Sequence, residues 1–140
     1  MAGLIQENFV PVKIHVKENA AAFERFGAQW TPTIVIADPE GKERYRFEGY
    51  LPPEEFMAQL ELGLAKVAFT KNDFARAEEL YKDIVRRFPK SAAAPEALYW
   101  AGVSKYKASN DPAALKQTAE AFRSEYGDTQ WAKKASVWAA

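Results

Sequence analysis

The second half of the chain repeats itself at a constant interval of 38 residues, as from Asn72 to Asn110 or from Phe88 to Tyr126. A repeat of this length is typical of stacked helical hairpins, because a single hairpin cannot bury its apolar face alone. The matched stretches are Asn72-Asp73-Phe74 with Asn110-Asp111-Pro112, Phe88-Pro89-Lys90-Ser91 with Tyr126-Gly127-Asp128-Thr129, and Leu98-Tyr99-Trp100-Ala101 with Ser136-Val137-Trp138-Ala139. This half is therefore predicted to be an array of helices.

Apolar spacing and capping residues predict five helices, over about residues 53–70, 73–88, 92–108, 111–126 and 129–140. The apolar stripe of the first helix consists of Phe56, Leu60, Leu64 and Val67. The predicted N-caps are Asp73, Ser91, Asp111 and Thr129, and the predicted helix stops are Pro89 and Gly127. Gly63 lies within the first helix, so a straight helix and a kink both remain open.

The first half has a β-type pattern. Residues 9–16 alternate Val10, Val12, Ile14 and Val16, which predicts a strand. Asn19 can cap a short helix that Gly27 ends. Residues 33–37 are apolar and β-branched, Asp38-Pro39-Glu40-Gly41 predicts a turn, and residues 43–50 alternate again. We therefore expect a strand, a helix and a β-hairpin, in that order.

This order resembles the C-terminal half of a thioredoxin-fold domain over about residues 4–62. The residues that carry the resemblance include Phe26-Gly27-Ala28-Gln29-Trp30-Thr31-Pro32-Thr33 and Asp38-Pro39-Glu40-Gly41-Lys42. The resemblance implies that Pro32 is the family's cis-proline, whose turn exposes the backbone of Thr31 to an extended substrate. An X–Pro bond is the only kind that adopts cis at low cost. The family's N-terminal β-α-β unit and its Cys-x-x-Cys helix are not matched by any residues of this chain.

In that family, a third strand separates the two that correspond to residues 10–16 and 33–37. Buried strand edges need hydrogen-bond partners, so a sheet without this middle strand must satisfy them in another way. We therefore expect rearranged strand pairing or an intermolecular sheet. A homodimer or a strand-exchanged oligomer follows from the second possibility.

The helical half resembles tetratricopeptide repeats, with Ala65, Ala77, Tyr81 and Pro89 at the family's small, aromatic and terminal-proline positions. The run from Phe88 onward is most similar to repeats of bacterial envelope-associated proteins. The second copy carries Thr118 and Ala119 where an aromatic residue is expected. The predicted fold class is α/β plus α. A partial thioredoxin-like β-α-β-β-α module over 1–62 is followed by tetratricopeptide-like α-α hairpins over 63–140, with the helix over 53–70 shared.

The residue types give little support for catalysis. The chain has no cysteine, which excludes a thiolate nucleophile, a disulfide and a zinc–thiolate site within it. His15 is the only histidine, so a histidine-based metal site is not expected. No glycine-rich phosphate loop is present. We predict no enzymatic activity, no cofactor and no metal.

Charge and hydropathy restrict the class of partner. Nineteen basic and nineteen acidic residues balance, so no field of one sign would attract nucleic acid or an anionic membrane surface. No apolar run approaches the ~20 residues of a membrane span. A cytoplasmic location is expected for the chain as given, and a periplasmic or envelope-associated one if an upstream signal sequence precedes it.

We therefore predict a module that binds a protein or a peptide. One candidate surface is the edge formed by Trp30, Thr31 and Pro32, and the other is the helical groove at Tyr99 and Tyr106. The resemblance to bacterial fusions of thioredoxin with tetratricopeptide repeats implies that unfolded client proteins are held. Two alternatives remain open: the C-terminal part of a thiol–disulfide oxidoreductase with upstream cysteines, and a dimerising scaffold.

Overall fold

A computed structural model describes residues 1–140 and shows a small antiparallel sheet followed by stacked helices. The α/β plus α class is confirmed. No helix combines the length and apolar character that a membrane crossing requires. The elements are α1 (Ala2–Asn8), α2 (Ala20–Arg25), β1 (Thr33–Ala37), β2 (Glu43–Glu48), α3 (Pro53–Thr70), α4 (Phe74–Arg87), α5 (Ala93–Ser109), α6 (Ala113–Glu125), α7 (Gln130–Ala135) and a final 3-10 turn (Ser136–Ala139).

The predicted strand over Phe9–Val16 is wrong. Residues 9–15 have no regular secondary structure, and the Val10 side chain is 91% exposed. The physical reason is the sheet, which has only two strands, so that β1 pairs with β2 and this segment has no neighbour. Strand propensity alone does not hold an extended backbone without a hydrogen-bonded ladder. The first module is therefore α-α-β-β-α, and no rearranged pairing occurs within the chain.

The predicted hairpin is confirmed, with Ile34 opposite Phe47 and Ile36 opposite Tyr45. Its turn is closed by Asp38, whose carboxylate accepts hydrogen bonds from the Lys42 amide at 2.9 Å, the Glu40 amide at 3.1 Å and the Arg44 Nε at 2.8 Å. The hydrogen bond from the Lys42 amide, assisted by Arg44, lowers the pKa of this buried carboxyl.

Helix α3 joins the hairpin to the helical array and runs through Gly63 without a break. A Cβ atom placed on Gly63 would lie 2.0 Å from Cδ1 of Ile36. Gly63 is therefore the point where β1 crosses α3 closely. Elsewhere between the hairpin and α3, the ring of Phe47 packs edge-on against that of Phe56, with 5.5 Å between the ring centroids.

The repeat is confirmed in the local conformation of the chain. Asn72 and Asn110 both adopt left-handed backbone angles, with φ of 62° and 56°. The hydroxyl of Ser91 donates to the Phe88 carbonyl at 2.7 Å, and the hydroxyl of Thr129 donates to the Tyr126 carbonyl at 2.8 Å. The α3/α4 and α5/α6 hairpins are therefore equivalent units, followed by α7.

The main core lies between α3, α4 and α5 and is rich in alanine, which lets the helices approach closely. At the α5–α6 crossing, a Cβ on Gly102 would lie 2.1 Å from the Thr118 hydroxyl. This close approach explains the glycine at position 102, because any side chain there would collide with Thr118. The core residues are Ala58, Leu62, Ala65, Ala77, Tyr81, Ile84, Phe88, Ala93, Ala97 and Ala101.

Three of the five predicted caps are confirmed, whereas Ser91 and Asp111 are not the N-caps of their helices. Asn19, Asp73 and Thr129 accept a hydrogen bond from the backbone amide three residues later. The Ser91 hydroxyl donates backward to the Phe88 carbonyl, as the Thr129 hydroxyl does to Tyr126, but unlike Thr129 it accepts no amide of the following helix. The Ala92 amide at the start of α5 instead donates to the Glu55 carboxylate at 3.1 Å. Asp111 accepts from the Ala113 amide at 2.9 Å, although α6 begins two residues after it.

Candidate functional site

The first candidate surface is the turn that leads into β1. The Thr31–Pro32 peptide bond is cis, as the resemblance implies. The Pro32 carbonyl accepts a hydrogen bond from the Gly49 amide at 2.8 Å, which anchors the turn to the end of β2. The Thr33 hydroxyl donates to the Trp30 carbonyl. These contacts hold the backbone of the turn on both sides of Thr31.

Thr31 itself is open to a partner. It is exposed, and neither its N–H nor its carbonyl makes a hydrogen bond within the chain. The neighbouring Trp30 side chain is 63% exposed, so it does not serve as a core residue. A free main-chain donor and acceptor therefore lie beside a large apolar side chain.

The open backbone continues along β1. Successive residues of a strand direct their N–H and carbonyl groups to opposite edges. The Pro32 carbonyl and the Asp38 amide both form hydrogen bonds toward β2. The N–H and carbonyl groups of Thr33, Val35 and Ala37 therefore point to the other edge. No third strand pairs there. Sequence reasoning did not identify these three residues, although the missing middle strand pointed to this edge.

The second candidate surface lies on α5, where Tyr99 is half-buried by other aromatic rings. Its ring stacks on that of Trp138 at 4.7 Å between centroids and also contacts Trp100 and Trp131 at 5.3 Å. The ammonium of Lys134 lies 4.2 Å from the Trp131 ring centroid. Tyr99 therefore anchors the last helix more than it lines an open groove.

Tyr106 lies about two turns further along α5 and is also half-buried. The structure does not bring it together with the cis-proline turn. The hairpin packs on α3, whereas α5 packs mainly on α3, α4, α6 and α7. The two candidate surfaces are therefore separate.

The polar groups elsewhere are engaged in structural contacts. Lys66 pairs with Glu96 at 2.8 Å and lies 4.4 Å from the ring centroid of Tyr45, which links α3, α5 and the hairpin. Burial, with the charge of Glu96, raises the pKa of Tyr45 to about 12. These partners are far apart in sequence, so no local signal could have identified them.

The two arginines in the last turn of α4, Arg86 and Arg87, are paired with acidic side chains. Arg87 pairs with the buried carboxylate of Glu61 and with Asp83, and Arg86 also pairs with Asp83. Burial raises the pKa of Glu61, although Arg87 opposes this shift. No three acidic or histidine side chains converge to hold a metal ion.

Two family models match the chain. A thioredoxin-like domain matches residues 2–64, and a tetratricopeptide repeat matches residues 57–91. The matches overlap within α3, the helix that packs against both the hairpin and α4. No curated protein and no solved structure matches the chain significantly.

Proposed function

Because the chain carries a thioredoxin-like domain followed by a tetratricopeptide repeat, we propose that it is a non-catalytic module that binds an extended segment of a partner protein. Stacked helical repeats present extended binding surfaces, which supports the general role. The absence of cysteine from these residues argues against thiol–disulfide exchange by this chain. Holding unfolded clients is the form of binding that we favour.

The observation that carries this proposal is the free main chain of Thr31 beside the exposed Trp30. Binding by strand addition obtains affinity from main-chain hydrogen bonds and specificity from alternate side chains. Thr31 supplies the first donor and acceptor, and the outer edge of β1 extends the line. This mode requires no catalytic residue.

The test compares Trp30→Ala with the wild-type chain, using a reduced, carboxymethylated and permanently unfolded protein as the probe. We expect a loss of about tenfold in affinity, the size expected for removing an exposed aromatic anchor. Val137→Ala is the control, because Val137 is 72% exposed but lies on the final 3-10 turn. Absence of any binding to the probe would contradict the proposal.

A second candidate is the helical surface at Tyr99 and Tyr106, which the cluster of partly exposed aromatic rings supports. Under this alternative, Tyr106→Ala would weaken the binding of the same probe and Trp30→Ala would not. The pair of variants therefore assigns the binding to one surface or to the other.

A further inference from the structure

The segment Phe9–Val16 is built like a strand but has no partner. Val10, Val12 and Ile14 are 91%, 76% and 43% exposed, respectively. Apolar β-branched side chains at every second position are the pattern of a strand. A fully exposed side chain of this kind forgoes about 1.5 kcal/mol or more by remaining in water instead of being buried. We call this segment the donor segment.

The outer edge of β1 is a matching acceptor. Edge strands in native proteins usually carry a charge, a proline or a bulge that discourages pairing. The sequence of β1, Thr33-Ile34-Val35-Ile36-Ala37, contains no charge and no proline. The irregularity between Ile36 and Ala37 arises in the pairing with β2, on the opposite edge. The outer edge is therefore free of these protective features.

We propose that two copies of this chain exchange strands, with the donor segment of each adding to the outer edge of β1 in the other. Donor and acceptor belong to the same chain, so reciprocal exchange closes at two copies related by a two-fold axis. Pro11 is compatible with this role, because proline is tolerated in the outermost strand of a sheet. The exchange buries the donor side chains and satisfies the open backbone of β1.

This self-association does not rest on the binding of a partner protein. It covers the same edge, however, and so competes with the strand addition proposed at Thr31. The dimer therefore cannot bind a partner protein at this edge, and dissociation into monomers exposes the edge again. Partner binding and self-association can be measured separately, since the first needs the unfolded probe and the second needs only the purified chain.

Sedimentation velocity of the full chain, from low micromolar to several hundred micromolar, tests the proposal. We expect a concentration-dependent change from the monomer mass to the dimer mass. Val12→Asp should raise the dissociation constant at least about tenfold, because it places a charge in the new strand. Val12 lies outside any helix or strand, so the monomer should keep its circular dichroism spectrum.

Val137→Asp is the matched control, with an exposed valine replaced at the far end of the chain. It should leave the dimer unchanged. A monomer at every concentration overturns the proposal, as does a dimer that tolerates Val12→Asp but is lost in Val137→Asp. A monomer that still binds the unfolded probe would leave the proposed function intact.

Cross-linking locates the contact, since the chain has no cysteine of its own. The single variants Val12→Cys and Ala37→Cys are mixed and treated with a short bismaleimide. Strand exchange predicts that cross-linked dimers with one chain of each variant form more often than random pairing of the two variants would produce. If the double variant instead closes within a single chain at every dilution, the segment pairs with its own β1 and the exchange is refuted.

Discussion

At the scale of single residues, Gly63 shows how a position that weakens a helix can be required by what crosses it. Glycine within a helix costs up to about 1 kcal/mol relative to alanine. At this position, however, an added Cβ would meet Cδ1 of Ile36 at 2.0 Å. The conformational cost in α3 is accepted because it lets the hairpin pack closely.

Gly63→Ala should therefore destabilise the chain despite alanine's better helix propensity. Overpacking costs about 1–3 kcal/mol, so we expect a net loss of about 1 kcal/mol in the free energy of unfolding, measured by urea denaturation. In an Ile36→Val background the clashing Cδ1 is absent, and Gly63→Ala should become neutral or stabilising. An equal loss in both backgrounds would show that Ile36 is not the cause.

Asp38 provides a prediction about pH. Its pKa is lowered in the folded chain by the Lys42 amide and Arg44, so the carboxylate stabilises the fold above the unfolded value of 3.8. Asp38→Asn should lower the melting temperature at pH 7. The difference from wild type should remain constant well above pH 3.8 and then shrink as the pH falls through 3.8 toward the lower native pKa.

Glu40→Gln is the control for Asp38→Asn. It also removes a carboxylate from this turn, but the Glu40 side chain makes no hydrogen bond, and only its backbone amide does. Glu40→Gln should change the melting temperature little, both at pH 7 and below pH 3.8. A pH-independent difference between Asp38→Asn and wild type would mean that the charge of Asp38 does not stabilise the turn.

At the scale of elements, the start of α5 depends on a carboxylate from another helix. Glu55, in the first turn of α3, accepts the Ala92 amide. Glu55→Ala should lower the free energy of unfolding by about 1 kcal/mol, the typical effect of losing an N-cap. Glu54→Ala is matched in position and charge but removes no such bond, so chemical denaturation should find it nearly neutral. Equal effects would contradict the cap.

The hairpin and the donor segment show what an element needs besides its own pattern. Both have the residue pattern of a strand, yet only β1 and β2 form strands. The turn at Asp38 brings β1 and β2 together locally, whereas residues 9–16 require a neighbour from a distant part of the chain or from another copy. Helices α3 to α6 need no such neighbour for their backbone bonds, which is why their bounds were predicted to within two residues. The last helix was predicted to reach residue 140, but α7 ends at Ala135 and a 3-10 turn follows it.

At the scale of the whole molecule, burial is unevenly distributed. The first buried residue in the chain is Ile36, and α1 and α2 contain none. We expect the amide hydrogens of α1 and α2 to exchange through local opening, with an opening free energy well below that of global unfolding. The slowest exchange is expected in α3, α4 and α5. Protection of α2 equal to that of α4 would show that the N-terminal region unfolds with the core.

The sequence by itself determined the features that depend on neighbours close along the chain. These are the helices, the caps at Asn19, Asp73 and Thr129, the hairpin, and the interval of 38 residues that recurs as two left-handed asparagines. The resemblance added the cis bond before Pro32. Each feature arises from hydrogen bonds or steric limits within a few residues.

Only the tertiary structure decided the features that depend on which elements lie side by side. It left Phe9–Val16 without a strand partner, gave the cap of α5 to Glu55 instead of Ser91, and placed Tyr99 under two tryptophans, away from Thr31. The physical reason is the same in each case. A strand edge, an unpaired amide or an aromatic face takes the partner that packing brings to it, and residues distant in sequence supply that partner.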